Sequence, residues 1–247
     1  MSRSNPTSTQ SNPSTRWFEW DSDNSCVKYY DKVAKQSVSV KLPFTFLILD
    51  QTASITGWND PSKSGVYSNE VRSTKTSPLL VRSFKGGTIA QGIYQDIKEK
   101  VKNEGGKFTT NVYIAYKDGG EYKIGVMMFK GASLQSWSDF SKANRSKLDT
   151  DAIQIASHVE GKKGKVTYTT PVFKVIEASK EAEAKAIELD KALQTYLNEY
   201  MGKAIAEETT STTSSPSESE AKDMLAQHGW TPIDTPEPEL LDDDLPF

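Results

Sequence analysis

Apolar residues occupy every even position from Val38 to Ile48, through Val40, Leu42, Phe44 and Phe46. A period of two is the signature of a half-buried strand, so this stretch predicts the first long strand. Pro43 has no N–H to give to a ladder, which puts the strand at an edge or breaks it there with a bulge. Upstream, two shorter apolar stretches, 17–20 and 26–33, open the structured region. Downstream, Asp50 begins a polar break, and 55–58 reads as a short return strand. Turn residues make 59–65 a loop. Strands at 66–71 and 79–84 follow, joined by the polar, basic stretch 72–78.

The clearest hairpin lies at 108–130. Phe108, Thr110, Val112, Ile114 and Tyr116 share one face, and Asp118-Gly119-Gly120 turns the chain. Counting a three-residue turn, Tyr122, Ile124, Val126 and Met128 continue that face. Tyr113, Lys117, Lys123, Met127 and Phe129 then share the other. Between these strands the period changes. Thr88 and Gln91 have capping-box spacing, and Ile89, Ile93, Ile97 and Val101 form a stripe at i+4 intervals. This predicts a helix over 88–104, ended by Gly105-Gly106. The preceding Lys85-Gly86-Gly87 is not a nucleotide loop, because that pattern places its lysine after the glycines.

A short helix is predicted over 133–144, with Leu134, Trp137 and Phe140 or Ser141 inward. Ile153, Ile155 and Val159 alternate in a strand, 161–165 is a basic hairpin tip, and 166–176 is the returning strand. From 178 to 206 there is no proline, and Ala, Glu, Lys and Leu dominate, so a long helix is expected. Its stripe is Ile187, Leu193, Leu197 and Ile205 with Tyr196 and Tyr200, suited to docking on the body or on a second subunit of a homo-oligomer.

Short strands with turn punctuation and one helix between strands three and four indicate a mainly β protein. The expected architecture is a β-barrel of the OB type, enlarged by insertions, with helix 88–104 as its plug. The chain divides into a disordered leader (1–15), the OB-like body (16–176), the long helix (177–206) and a disordered acidic tail (207–247) carrying the flexible Ser/Thr linker 209–219.

Charge sharpens this division. Residues 1–176 hold 25 basic and 16 acidic side chains, a net of +9, while 207–247 hold 11 acidic and one basic, a net of −10. A basic body with an acidic tail is the arrangement of a polyanion binder with a self-masking tail. Cys26 is the sole cysteine, which excludes an internal disulfide and a cysteine-cluster zinc site. No apolar run approaches a membrane span, and the N-terminus has no signal-peptide core, so a soluble, cytoplasmic protein is expected. The two histidines, His158 and His228, and the one cysteine offer no obvious nucleophile–base pair, and Asp149 and Asp151 are more simply a turn than a metal pair. The chain reads as a non-enzyme without a cofactor.

Single-stranded nucleic acid is held by cations along its backbone and by aromatic rings under its bases. The candidates on the hairpin are Tyr113 and Phe129, with Lys117 and Lys123 beside them. Trp58 joins them, with Trp17 and Trp20 as a second aromatic group, and Arg72, Lys75, Arg82 and Lys85 as phosphate contacts. The tip 161–165 is a further possible phosphate contact.

The chain ends Leu241-Asp242-Asp243-Asp244-Leu245-Pro246-Phe247. A tail that only solubilises has no need of Leu, Pro and Phe in its last positions. Pro246 holds Leu245 extended, and Phe247 presents a ring and the α-carboxylate together to one basic-rimmed pocket. This ending resembles the tip of bacterial single-stranded-DNA-binding proteins, the SSB family. The resemblance covers the tail alone. It implies sequence-independent binding and protection of single-stranded DNA during replication, recombination and repair. It also implies recruitment of replication and repair proteins through Asp242, Asp243, Asp244, Leu245, Pro246 and Phe247. The enlarged body is more like a phage-encoded member than a short bacterial one. The rival reading is a structural or virion protein with a solubilising tail.

Overall fold

The computed structural model describes residues 11–210, with side chains as far as 202. The leader before residue 11 and the acidic tail, including its tip, lie outside the described residues.

Among the described residues, eleven strands form one mixed sheet. In chain order they are β1 (Arg16–Asp21), β2 (Cys26–Asp31), β3 (Gln36–Val40), β4 (Phe44–Asn59), β5 (Ser64–Ser68), β6 (Leu79–Ser83), β7 (Gly87–Gly92), β8 (Gly106–Asp118), β9 (Glu121–Lys130), β10 (Ala152–Lys163) and β11 (Val166–Ile176). The helices are α1 (Tyr94–Asn103), α2 (Gly131–Ala143) and α3 (Lys180–Thr210). The main path runs β3-β2-β1-β9-β8-β4-β5-β6-β7, and β10 joins β4 with β11 beyond it. Every pair is antiparallel except β1 with β9, which is parallel.

The mainly β class and the long C-terminal helix are as expected, but the barrel does not close. Its ladder is open between β11 and the β1–β2 turn. Side chains span the gap there, with Trp20 Nε1 donating to the Thr169 carbonyl at 2.9 Å.

Pro43 breaks the alternating run as its missing N–H requires. β3 ends at Val40, the Leu42–Pro43 peptide is cis, and β4 starts at Phe44. Asp50, by contrast, does not end a strand. β4 runs on to Asn59, and a bulge between Ile48 and Asp50 absorbs the irregularity. The bulge bends β4, so β10 pairs its first residues and β5 its last ones.

The β8–β9 turn has two residues, with Asp118 paired to Glu121 and both Gly119 and Gly120 at positive φ. One residue fewer in the turn exchanges the faces of the second strand. Val112 therefore opposes Met127, and Tyr113 opposes Val126. The main core takes Val112, Ile114, Tyr116, Met127 and Phe129, and α2 stacks Trp137 on Phe129 at 4.8 Å.

The helix expected over 88–104 begins later. Residues 87–92 pair with β6 as β7, and α1 starts after Ile93. Ile89 is buried from a strand, whereas Ile97 and Val101 are buried from the helix, so the i+4 stripe spans two element types. On the sheet's second face α3 covers Tyr113, Ile124, Val126 and Met128 with Leu193 and Leu197. Its stripe continues through Leu189 to Ala186 and Ala182, small residues that admit Leu47, Ala115 and Ala152. Ile187 is off that stripe and 55% exposed, and the side chain of Ile205 lies outside the described ones.

Candidate nucleic-acid interface

Both faces of the β8–β9 hairpin are covered, and this removes the expected stacking platform. Tyr113 is 1% exposed beneath α3, Phe129 is 0% exposed against Trp137, and Trp20 is 4% exposed. None presents a ring face to a base. Trp17 is partly buried against the α3-side core, with the Lys32 ammonium 5.5 Å over its ring. Lys123 is engaged by Asp118 at 2.9 Å, and Arg16 binds the same carboxylate at 3.0 Å. These two cations hold the Asp118 carboxyl below its ordinary range. Lys117 lies 5.6 Å over the Tyr122 ring.

The other candidates gather on the opposite flank, from β4 to β7 and the loop after β5. Trp58 and Thr56 share a face of β4, Thr56 opposes Tyr67, and Tyr67 opposes Arg82. Trp58, Tyr67 and Arg82 thus occupy one sheet face, where the Tyr67 ring lies 4.8 Å from Phe84. Burial pushes the Tyr67 hydroxyl up, and the hydrogen bond from Arg82 opposes it. Trp58 is partly exposed and Lys85 is exposed.

Arg72 and Lys75 stand at a separate feature, an open pocket of about 240 Å³. Gln51 and Ala53 of β4 and Phe108 and Thr110 of β8 line one side, and residues 72–75 the other. Ala53 opposes Thr110 in the ladder, so these side chains share the inner sheet face. Tyr94 of α1 packs against Phe108 at 5.1 Å, fixing the apolar wall. The loop wall is tied down as well: Ala53 exchanges backbone hydrogen bonds with Val71, and the Ser77 N–H donates to the Ser73 carbonyl at 2.9 Å. Arg72 Nη2 donates to Asp50 Oδ2 and to Gln194 Oε1, each at 2.7 Å, and its side chain stays 45% exposed. Lys75 is exposed.

A buried carboxylate lies behind that loop. Glu70 accepts from the hydroxyls of Thr52 and Tyr113, and its N–H donates to the Tyr200 hydroxyl at 3.2 Å. Burial pushes its carboxyl up, while those hydrogen bonds pull it partly back. Glu70 thereby joins the loop to both the sheet and α3.

Gln51, Phe108 and Thr110 did not stand out in the sequence as site residues, because they look like ordinary members of strands. The signal available was Gln51 itself, a polar residue within a run that the bulge carries on as strand. Of the expected contacts, Trp58 and Arg82 share one sheet face, Lys85 is exposed in the turn between β6 and β7, and Arg72 and Lys75 flank the pocket, while Asp242 to Phe247 lie outside the described residues. No family model, curated protein or solved structure matches the chain.

Proposed function

We propose that this protein binds single-stranded DNA with little sequence preference, and that its C-terminal tip recruits replication and repair proteins. The observation that supports it best is the pocket flanked by Arg72 and Lys75 on a body, residues 16–176, whose net charge is +8. Cations beside a small part-apolar hollow suit a phosphate next to an unpaired base. The exposed side of Trp58, with Arg82 on the same sheet face, adds a second contact region. Recruitment rests on the resemblance of Asp242 to Phe247 to the SSB tip.

A titration of fluorescently labelled oligo-dT over a series of salt concentrations tests the first part. Binding weakens steeply with salt, with a log–log slope of about −0.7 for each phosphate neutralised. Affinity that ignores salt rejects the electrostatic account, and cleavage of the oligomer rejects a non-enzymatic binder.

A further inference from the structure

From the pocket's chemistry we infer that it is a subsite for one unpaired nucleobase, and that it favours a base with a keto oxygen. The inference rests on the single-strand-binding reading and adds to it a location and a chemical preference.

Size limits the occupant first. At about 240 Å³ the hollow falls below the roughly 300–1,000 Å³ of sites for drug-sized ligands, which suits one small planar group. Its walls are mixed. Ala53 and Phe108 are apolar, while Gln51 and Thr110 are polar, and a flat heterocycle with a polar edge matches both.

The preference comes from Gln51. Trp137 Nε1 donates to Gln51 Oε1 at 3.3 Å. An indole N–H can only donate, so this contact turns the amide oxygen toward Trp137 and leaves Nε2 with its two N–H groups for the pocket. Trp137 is itself 2% exposed and stacked on Phe129, so it is a fixed reference for the amide. A donor in that position favours an acceptor such as the keto oxygen of thymine or guanine over an exocyclic amine. Lys75, exposed on the loop wall, then serves the adjoining phosphate, which every strand carries. The pocket therefore discriminates by its Gln51 side and attracts by its loop side.

The experiment compares oligo-dT with oligo-dA on the full chain and on two variants. Q51E keeps an acceptor for Trp137 and replaces the donor offered to the pocket, so a merely structural Gln51 tolerates it. Its added charge weakens both oligomers alike, and the ratio of the two affinities isolates the base contact. The ratio of dT to dA affinity is expected to fall about five- to tenfold in Q51E, the scale of one net hydrogen bond. K75A lowers both affinities alike and reduces the salt slope by about one phosphate's worth. A dT:dA ratio unchanged in Q51E overturns the inference while leaving single-strand binding standing. Failure of the wild-type protein to bind either oligomer overturns both. Photo-crosslinking of wild-type protein to oligo-dT needs no variant: adducts are expected within β4, β8 or 72–75, and adducts confined to other segments overturn the assignment.

Discussion

Ser22 and Thr169, 147 residues apart, hold each other through three hydrogen bonds. The Thr169 N–H donates to Ser22 Oγ at 2.8 Å, Ser22 Oγ donates to the Thr169 carbonyl at 3.0 Å, and Thr169 Oγ1 donates to the Ser22 carbonyl at 2.7 Å. A side chain here imitates a strand partner, so the open edge of β11 is secured without a ladder. The Ser22→Ala variant removes two of these bonds and leaves a buried-edge N–H without its acceptor. It should lose about 1–3 kcal/mol in urea unfolding, with faster hydrogen exchange in β11. A variant as stable as the parent would show that the contact closes nothing.

Burial separates two kinds of aromatic. Trp58→Ala should fold normally and lose about 1–3 kcal/mol of oligo-dT binding, the value of one stacked base. Phe129→Ala should instead lose about 3–5 kcal/mol of stability through the cavity under Trp137. Thermal unfolding and oligo-dT titration on both proteins distinguish the effects. Equal binding by folded Trp58→Ala removes that ring from the interface.

Glu70 makes stability depend on pH in a defined direction. Burial holds its carboxyl above the ordinary 4.5, so the folded state binds the proton more tightly than the unfolded state. Its contribution is fully present below about 4.5 and is lost as pH rises through the higher folded value. Glu70→Gln has no such titration. The stability of this variant relative to the parent should therefore rise as pH increases above about 4.5, measured by urea unfolding at each pH. A constant difference would show that the carboxylate is not enclosed.

Two backbones meet without room for a methyl group at the end of β4. A Cβ on Gly57 would lie 2.0 Å from the Gly105 carbonyl oxygen, and one on Gly105 would lie 1.9 Å from that of Trp58. Gly57→Ala must push the strands apart, at a cost of about 1–3 kcal/mol or more. At Gly119 a Cβ meets nothing within 4 Å, so Gly119→Ala pays only for its positive φ and should cost about 1 kcal/mol. Thermal melts of the two variants give the order.

Deleting 241–247 should leave oligo-dT affinity equal or slightly higher, because a tethered acidic competitor is gone, while abolishing partner recruitment. One residue added after Phe247 should harm recruitment nearly as much, since it moves the α-carboxylate away from the ring. A pull-down from bacterial lysate with intact, truncated and extended proteins checks this. The same proteins recovered by all three would make the tail a solubiliser.

Period and turn residues made most strands and α3 readable, because each buries one face and the pattern records it. The errors share a cause. Two-residue and three-residue readings of Asp118-Gly119-Gly120 differ only in the turn, yet they exchange the faces of Met127 and Met128. At Ile89 the same apolar residue serves a strand, because Gly92 lets the chain turn between β7 and α1 with a φ of 147°. Ile187 reads from the pattern as part of the docking face of α3, but Ala182 and Ala186 make that contact; small residues carry little hydrophobic signal even where close approach depends on them. The pocket was hidden for a further reason. Gln51, Phe108 and Thr110 become neighbours only through pairing of β4 with β8, which no local pattern encodes.

The parallel pairing of β1 with β9 sets an order of events during synthesis. Arg16 to Glu19 align with Gly125 to Met128, so β1 waits more than a hundred residues for this partner. Until β9 emerges, the edge of β1 that will receive it is unpaired, although Phe18 can already meet Phe44 and Tyr116 of the intervening strands. That open edge stays accessible to chaperones until β9 has been made. The main core also takes Trp137, Ile153, Ile155 and Phe173, so its completion waits for residues well beyond β9.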